Sequence, residues 1–397
     1  MSLNKITEYF FIFVLISFSH SGLIKWLFFP IDPTILFAIL SLPSFFIWAK
    51  YKFYTRENPL IFGVPIFLVF NLILIATSVY SISDSYFIFK SAVIVSNVFA
   101  FVLPLLVVNS QKSFMQFKEV FKFLFLITLI FLAFQYIDNQ FIDIRYHPTE
   151  NEFGIRIPDY LTFSYFLGSG VIFLLGSKDS LSKLMIFLSV LFMLLLAAKG
   201  PLLFLIIVAL IKYRKTLSPF QFKFWLFCIL FFFLLFFLVS VLRFSLFEPL
   251  LGRLIFFSDG LEEDKSSLAR VILLNNGIDL IKSHSIFGVG LGGFAKALGD
   301  ADGRLSPHNI FIEIWAECGI FSLIFLIFLC FFFYSRFKIV LNKYSFPVGE
   351  NVIYLCLFLF LGNLVSAFLE DMRITYFWIG LAISFYSIRI RTASNLT

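Results

Sequence analysis

The chain reads as a series of apolar segments broken by short polar stretches. A bilayer core takes about 20 apolar residues of helix. On that scale twelve segments read as spans: roughly 8–24, 31–49, 60–80, 86–108, 119–137, 160–176, 184–198, 201–211, 224–242, 309–334, 351–369 and 374–388. The first lacks a small-residue cleavage site and reads as a span, not a removable leader. The seventh and eighth are joined only by Lys199, Gly200 and Pro201. One long kinked or re-entrant segment through 184–211 is the alternative there, and it would invert everything downstream. Two intervening stretches are long and polar. Residues 138–159 are net acidic, and residues 243–307 hold seven basic and eight acidic side chains. Loops of that length in a compact chain are usually functional. The organisation is therefore helices one to nine in 1–242, a large loop at 243–307, and helices ten to twelve in 308–397.

Composition strengthens this picture. Of 397 residues, 60% are hydrophobic and 14% charged, and 61 are phenylalanine. Soluble domains carry about 25% charged residues, so an all-α, multi-pass membrane protein is expected. The net charge of +7 could point to nucleic acid, but its distribution argues for orientation. With the N-terminus inside, eighteen lysines and arginines fall on the cytoplasmic side and twelve outside, seven of these in the long loop. That is the positive-inside bias; it places both termini inside, the two long loops outside, and no nucleic acid among the partners. Cys228, Cys318, Cys330 and Cys356 all lie in apolar segments and form neither a disulfide framework nor a CxxC site.

The chemistry should then sit on the outer face. SIFGVGLGGF (285–294) spells GxGxxG through Gly288, Gly290 and Gly293. A dinucleotide loop needs a strand before it and a soluble βαβ unit around it. Here Val271, Leu274, Ile278 and Ile281 precede it at helical spacing, with Ser266 or Ser267 as a cap. The glycines read as a turn returning the chain toward the membrane.

SPHNIFIEIWAECGIFS (306–322) is more informative. His308 and Asn309 stand at the lip of the tenth span. Histidine titrates near neutrality and can take a proton from a hydroxyl; a capping or interfacial histidine is the alternative. Glu313 and Glu317 share one helical face within an apolar span, so they should face inward and find a basic partner. A paired-carboxylate glycosidase site is the competing reading, and supporting ion pairs are preferred. Arg270 could grip phosphate through its fork or snorkel to headgroups. Lys199 sits at a turn near the outer interface, where lysine is unremarkable. The DAD at 300–302 resembles a metal-holding DxD and is read as a solvated turn. His20, His147 and His284 are isolated, and no HExxH, P-loop or GxSxG is present.

The order Gly252-Arg253, SSLAR with Arg270, an apolar helix, SHSIFGVGLGGF, then His308-Asn309, nine residues and Gly319 resembles the O-antigen polymerase and O-antigen ligase superfamily. Residues 251–322 carry the resemblance; Ser322 stands where the pattern has its second glycine. The resemblance implies a membrane fold of the glycosyltransferase C type. It also implies inverting transfer of a glycan from undecaprenyl pyrophosphate at the periplasmic face of the inner membrane, with no metal and no cofactor. In those roles His308 would be the base, Arg270 and Lys199 would bind pyrophosphate, Asn309 would orient His308, and Glu313 and Glu317 would support them. Arg270→Lys is expected to weaken transfer more than Arg304→Lys. Implied partners are the lipid-linked donor and acceptor, the bilayer and a chain-length regulator protein. Polymerase is preferred over ligase, and a lipid-linked sugar flippase is the distant alternative.

Overall fold

The computed structural model describes residues 12, 16, 63–108, 110–137, 160–196, 198–214, 265–343, 347–365 and 369–394. The predicted spans 8–24, 31–49 and 224–242, the loop 138–159, and the Gly252-Arg253, His20, His147 and Cys228 positions lie outside that set, apart from residues 12 and 16 of the first span.

Every regular element among the described residues is helical. In chain order they are α1 (Gly63–Ala76, continued by a 3-10 turn Thr77–Tyr80), α2 (Tyr86–Val107), α3 (Gln111–Ile137), α4 (Tyr160–Leu174), α5 (Ser180–Leu195), α6 (Lys199–Tyr213), α7 (Lys265–Ser283), the short α8 (Phe294–Ala297), α9 (Ile310–Lys343), α10 (Pro347–Asn363), a 3-10 turn Leu369–Met372 and α11 (Arg373–Ser394). Gly63–Tyr80, Tyr86–Val107 and Ile310–Ile339 are long and apolar enough to cross a membrane; Tyr160–Leu174, Ser180–Leu195, Gly200–Tyr213 and Gly349–Asn363 are shorter apolar helices. Their outward faces are apolar too. Leu72, Ile88, Phe187, Phe321, Ile324 and Phe331 are all exposed, as lipid-facing side chains would be.

The stretch 184–211 is a hairpin of two helices. Lys212 at the end of α6 bonds Asn351 at the start of α10, and Asn351 donates to the carbonyls of Phe173 and Leu175 at the end of α4. The chain thus returns to the end of the bundle where α5 begins. The single long segment is thereby replaced by two, and Ser266 and Ser267 prove to lie within the first turn of α7 and not ahead of it.

Phenylalanine fills the interior by pairing with glycine on a facing helix. A side chain at Gly170 would strike the Phe125 ring at 2.1 Å, and one at Gly168 would strike Phe358 at 2.3 Å. Small residues that let a neighbour approach closely suit helix packing where lipid removes the hydrophobic drive between helices. Phe117, Phe121 and Phe173 cluster around Trp378.

The span predicted at 351–369 stops early, because α10 ends at Asn363. Leu369, at the start of the 3-10 turn before α11, is held inside the bundle. The carbonyl of Leu369 accepts from Asn97 at 3.1 Å, and its N–H donates to Glu313 at 2.9 Å. Asn97 lies eleven residues into α2, a depth of about 16 Å at 1.5 Å per residue. Non-helical backbone is tolerated there because protein groups satisfy it.

Candidate active site

The site grows from the start of α9. Pro307 cannot donate a backbone hydrogen bond, and Ser306 Oγ accepts from the N–H of His308 at 3.2 Å. His308 itself is left-handed, with φ 54°, the one positive-φ residue other than glycine among the described residues. That conformation costs about 1–3 kcal/mol and tends to mark functional positions. Asn309 then caps the helix: its Oδ1 accepts from the N–H groups of Phe311 (3.0 Å) and Ile312 (3.1 Å), while its Nδ2 donates to the Leu364 carbonyl at 3.0 Å. Both ends of the Asn309 side chain are thus engaged away from the His308 ring, and its hold on His308 runs through the backbone.

Ten residues on, α9 breaks. Gly319 has φ 79° and ψ 176°, and a Cβ there would meet the Ile286 carbonyl oxygen at 2.1 Å. The break exposes helix carbonyls, and the glycine turn takes them up. Val289 N–H donates to the Ala316 carbonyl (3.0 Å), Gly290 N–H to that of Glu317 (2.8 Å), and Ile320 N–H to that of Ser285 (3.1 Å). The turn's other side faces the loop between α1 and α2, where Ile82 N–H reaches the Val289 carbonyl at 3.2 Å and Tyr80 Oη donates to that of Phe287 at 2.7 Å. Gly290, with φ 85°, leaves no room for a Cβ against Ser81. GVGLGG is a rivet between two helical walls: the N–H groups of Gly288, Val289, Gly290 and Gly293 go to backbone carbonyls and that of Gly292 to the Glu317 carboxylate.

Glu313 and Glu317 have a basic partner that the sequence reading did not name. Lys90, in the first turns of α2, donates to Glu313 Oε1 at 2.6 Å and to Glu317 Oε2 at 2.8 Å, all three at most 1% exposed. The other carboxylate bonds go to backbone: Leu369 N–H to Glu313 Oε2 and Gly292 N–H to Glu317 Oε2, each at 2.9 Å. Removing one member of a buried ion pair costs about 3–5 kcal/mol. An ionisable residue inside the predicted span 86–108 was the available signal, since charge within a span is expected to have a partner.

Arg270 reaches the site through α7. A Cβ at Gly277 would sit 2.6 Å from Ile312 and 3.2 Å from Pro307, so α7 lies tightly on the residues flanking His308. Arg270 is seven residues earlier, two turns along the same face. The predicted stripe of α7 holds in part: Ile281 is buried, but Val271 and Ile278 are exposed and Leu280 is buried instead. The His308 pKa is lowered from its usual range by partial burial first, then by the positive charges of Arg270 and Arg304. Arg304, the intended comparison for Arg270, therefore belongs to the same basic group. Lys199 opens α6; since α6 and α10 run antiparallel, that position lies at the end of the bundle where α10 finishes and Leu364 meets Asn309.

The DAD turn has a different task. Asp302 accepts from Ser83 Oγ at 2.7 Å and from the N–H groups of Asp84 (3.0 Å), Ser85 (2.8 Å) and Tyr86 (3.1 Å). It caps α2 from the far side of the sequence, where Ser85's own side chain does not. Burial acts to raise its pKa, but these bonds prevail and bring it to about 2. The expected solvated turn is thus replaced, at Asp302, by a tertiary cap. His284 is exposed and meets Ser283 Oγ at 2.9 Å. Cys318 and Cys356 are buried free thiols and Cys330 is partly buried.

No curated protein matches the chain. Residues 163–327, which contain Lys199, Arg270, the glycine turn, His308-Asn309 and Gly319, match the model of the family described as O-Antigen ligase, and this match supports the O-antigen ligase and polymerase superfamily for the chain.

Proposed function

We propose that the protein is an O-antigen polymerase of the inner membrane, joining undecaprenyl-pyrophosphate-linked repeat units at the periplasmic face. The observation that carries the reading is the left-handed His308, under the positive charges of Arg270 and Arg304, at one end of an apolar bundle. His308 takes the proton of the acceptor hydroxyl. The hydroxyl oxygen attacks the anomeric carbon from the face opposite the leaving group, the bond from that carbon to the pyrophosphate oxygen breaks, and configuration inverts. Arg270 and Arg304, joined by Lys199, offset the charge released on the pyrophosphate. Fixed charges in a water-poor site are commonly the largest catalytic contribution, and a placed base adds about 10²–10⁴-fold. Glu313 and Glu317 support this site and do not react. The activation energy resides in the donor, so neither metal nor cofactor takes part.

A second reading, transfer of the finished glycan to lipid A–core, draws on the family's own description as O-Antigen ligase. Ser322 in place of the pattern's second glycine supports polymerase. Deleting the gene and resolving lipopolysaccharide on a gel separates the two. Loss of a polymerase leaves core bearing one repeat unit; loss of a ligase leaves bare core; an unchanged ladder would refute both. His308→Ala is expected to reproduce the deletion while the protein remains in the membrane.

A further inference from the structure

Lys90 lies outside the region matched to the family, yet its ammonium group joins the two carboxylates of α9 that stand one and two turns beyond His308. Glu313 bonds Lys90 through one oxygen and the re-entrant Leu369 N–H through the other. That connection also supplies the Leu364 carbonyl that fixes Asn309, the neighbour of His308. Glu317 joins Lys90 to the glycine turn through Gly292 N–H. Two carboxylates within one turn of each other would repel and draw in water without a cation between them. Such a triad is costly to bury, and a hydrophobic trio of equal volume would often be more stable.

We propose that Lys90 is a positioning residue for transfer at His308: by neutralising Glu313 and Glu317 it keeps Leu369 and the glycine turn seated against α9, and so sets where His308 stands. The proposal rests on the reading of His308 as the site of glycosyl transfer. Lys90 touches no substrate in this scheme. It acts through two carboxylates and two backbone N–H groups.

The test uses the full chain in lipid nanodiscs with a lipid-pyrophosphate-linked repeat unit as donor and acceptor. Two quantities are read per inserted molecule: the kcat and KM of transfer, and amide hydrogen exchange of segments 285–294 and 364–372. Lys90→Met is expected to lower kcat by about tenfold or more with KM little changed, since misplacement by about 1 Å can cost on the order of 10²-fold. Exchange in both segments should accelerate. Adding Glu313→Gln and Glu317→Gln to Lys90→Met removes the uncompensated charge but keeps an acceptor for each N–H, and should restore most of the lost kcat. Lys122→Met breaks a more exposed pair with Asp179 at the opposite end and should leave kcat unchanged. If Lys90→Met fails to insert, Glu317→Ala removes the acceptor of Gly292 and gives the same two readouts. Unchanged kcat, or a fall in kcat with exchange unaltered, overturns the proposal. Absence of transfer by the unmodified protein would instead refute the proposed function, and the exchange measurement would still decide whether Lys90 seats the two segments.

Discussion

At the residue scale, His308 is set apart by two independent features, its left-handed backbone and a pKa below the usual histidine range. A base with a lowered pKa is neutral over more of the range below neutrality. Transfer should therefore rise with pH along an acid limb that lies below about 6.5, the unperturbed histidine value. Replacing Arg304 by Gln takes away one of the charges that disfavour the imidazolium, so the limb should move to higher pH; Arg270→Gln should move it the same way. A pH–rate profile of the two variants checks this, and a limb that stays in place would remove Arg304 from the site. Arg270→Lys is still expected to weaken transfer more than Arg304→Lys, since each keeps its charge and loses only the fork; equal effects would argue for general charge alone. His308, Asn309 and Arg270 were legible as candidates because their residue types and order are local. Arg304, four residues before His308, was equally close in the chain and was read only as a comparison for Arg270.

At the element scale, the break in α9 does the organising. The sequence reading took 309–334 as one span and the glycines as a turn; the structure joins them, with Gly319 opening the helix and GVGLGG filling the opening. Gly319→Ala combines a positive φ with a clash against Ile286, so it should destabilise the outer layer by about 1–3 kcal/mol. Thermal unfolding in detergent would show it, and an unchanged midpoint would mean that α9 closes without the turn. Asp302→Ala should likewise loosen the start of α2. Losing a cap costs about 1 kcal/mol, and hydrogen exchange at 84–87 reads the effect directly. Neither pairing was visible in the sequence, since Gly319 and Ile286 are thirty-three residues apart, and Asp302 and Ser85 are 217 residues apart.

At the scale of the whole molecule, the described helices sort into two ends. His308, the glycine turn, Leu364 and the 3-10 turn Leu369–Met372 share one; Lys112, Lys178, Lys183 and Lys212 lie toward the other. On the proposed reading, the positive-inside bias of the sequence puts the His308 end on the periplasmic side. Single cysteines at Ser177 and Asp300, placed in a chain with its own cysteines replaced, should report it. A membrane-impermeant thiol reagent added to intact spheroplasts is expected to label position 300 and leave 177 unlabelled. The reverse pattern would put the site in the cytoplasm and refute the proposed function.

The sequence alone determined the helical class, the apolar segments and the short list of polar residues at the lip of α9. These are carried by composition, by the length of apolar runs and by side chains close together along the chain, and none requires knowing which helix lies beside which. Only the tertiary structure decided that Lys90 neutralises Glu313 and Glu317, that Asp302 caps α2, and that Leu369 bonds Asn97 and Glu313 inside the bundle. Each of these is a pairing between polar groups far apart in the chain. In an apolar interior a buried polar group must find a partner, but the pattern of apolar and polar positions states only that need; the packing of the helices supplies the partner.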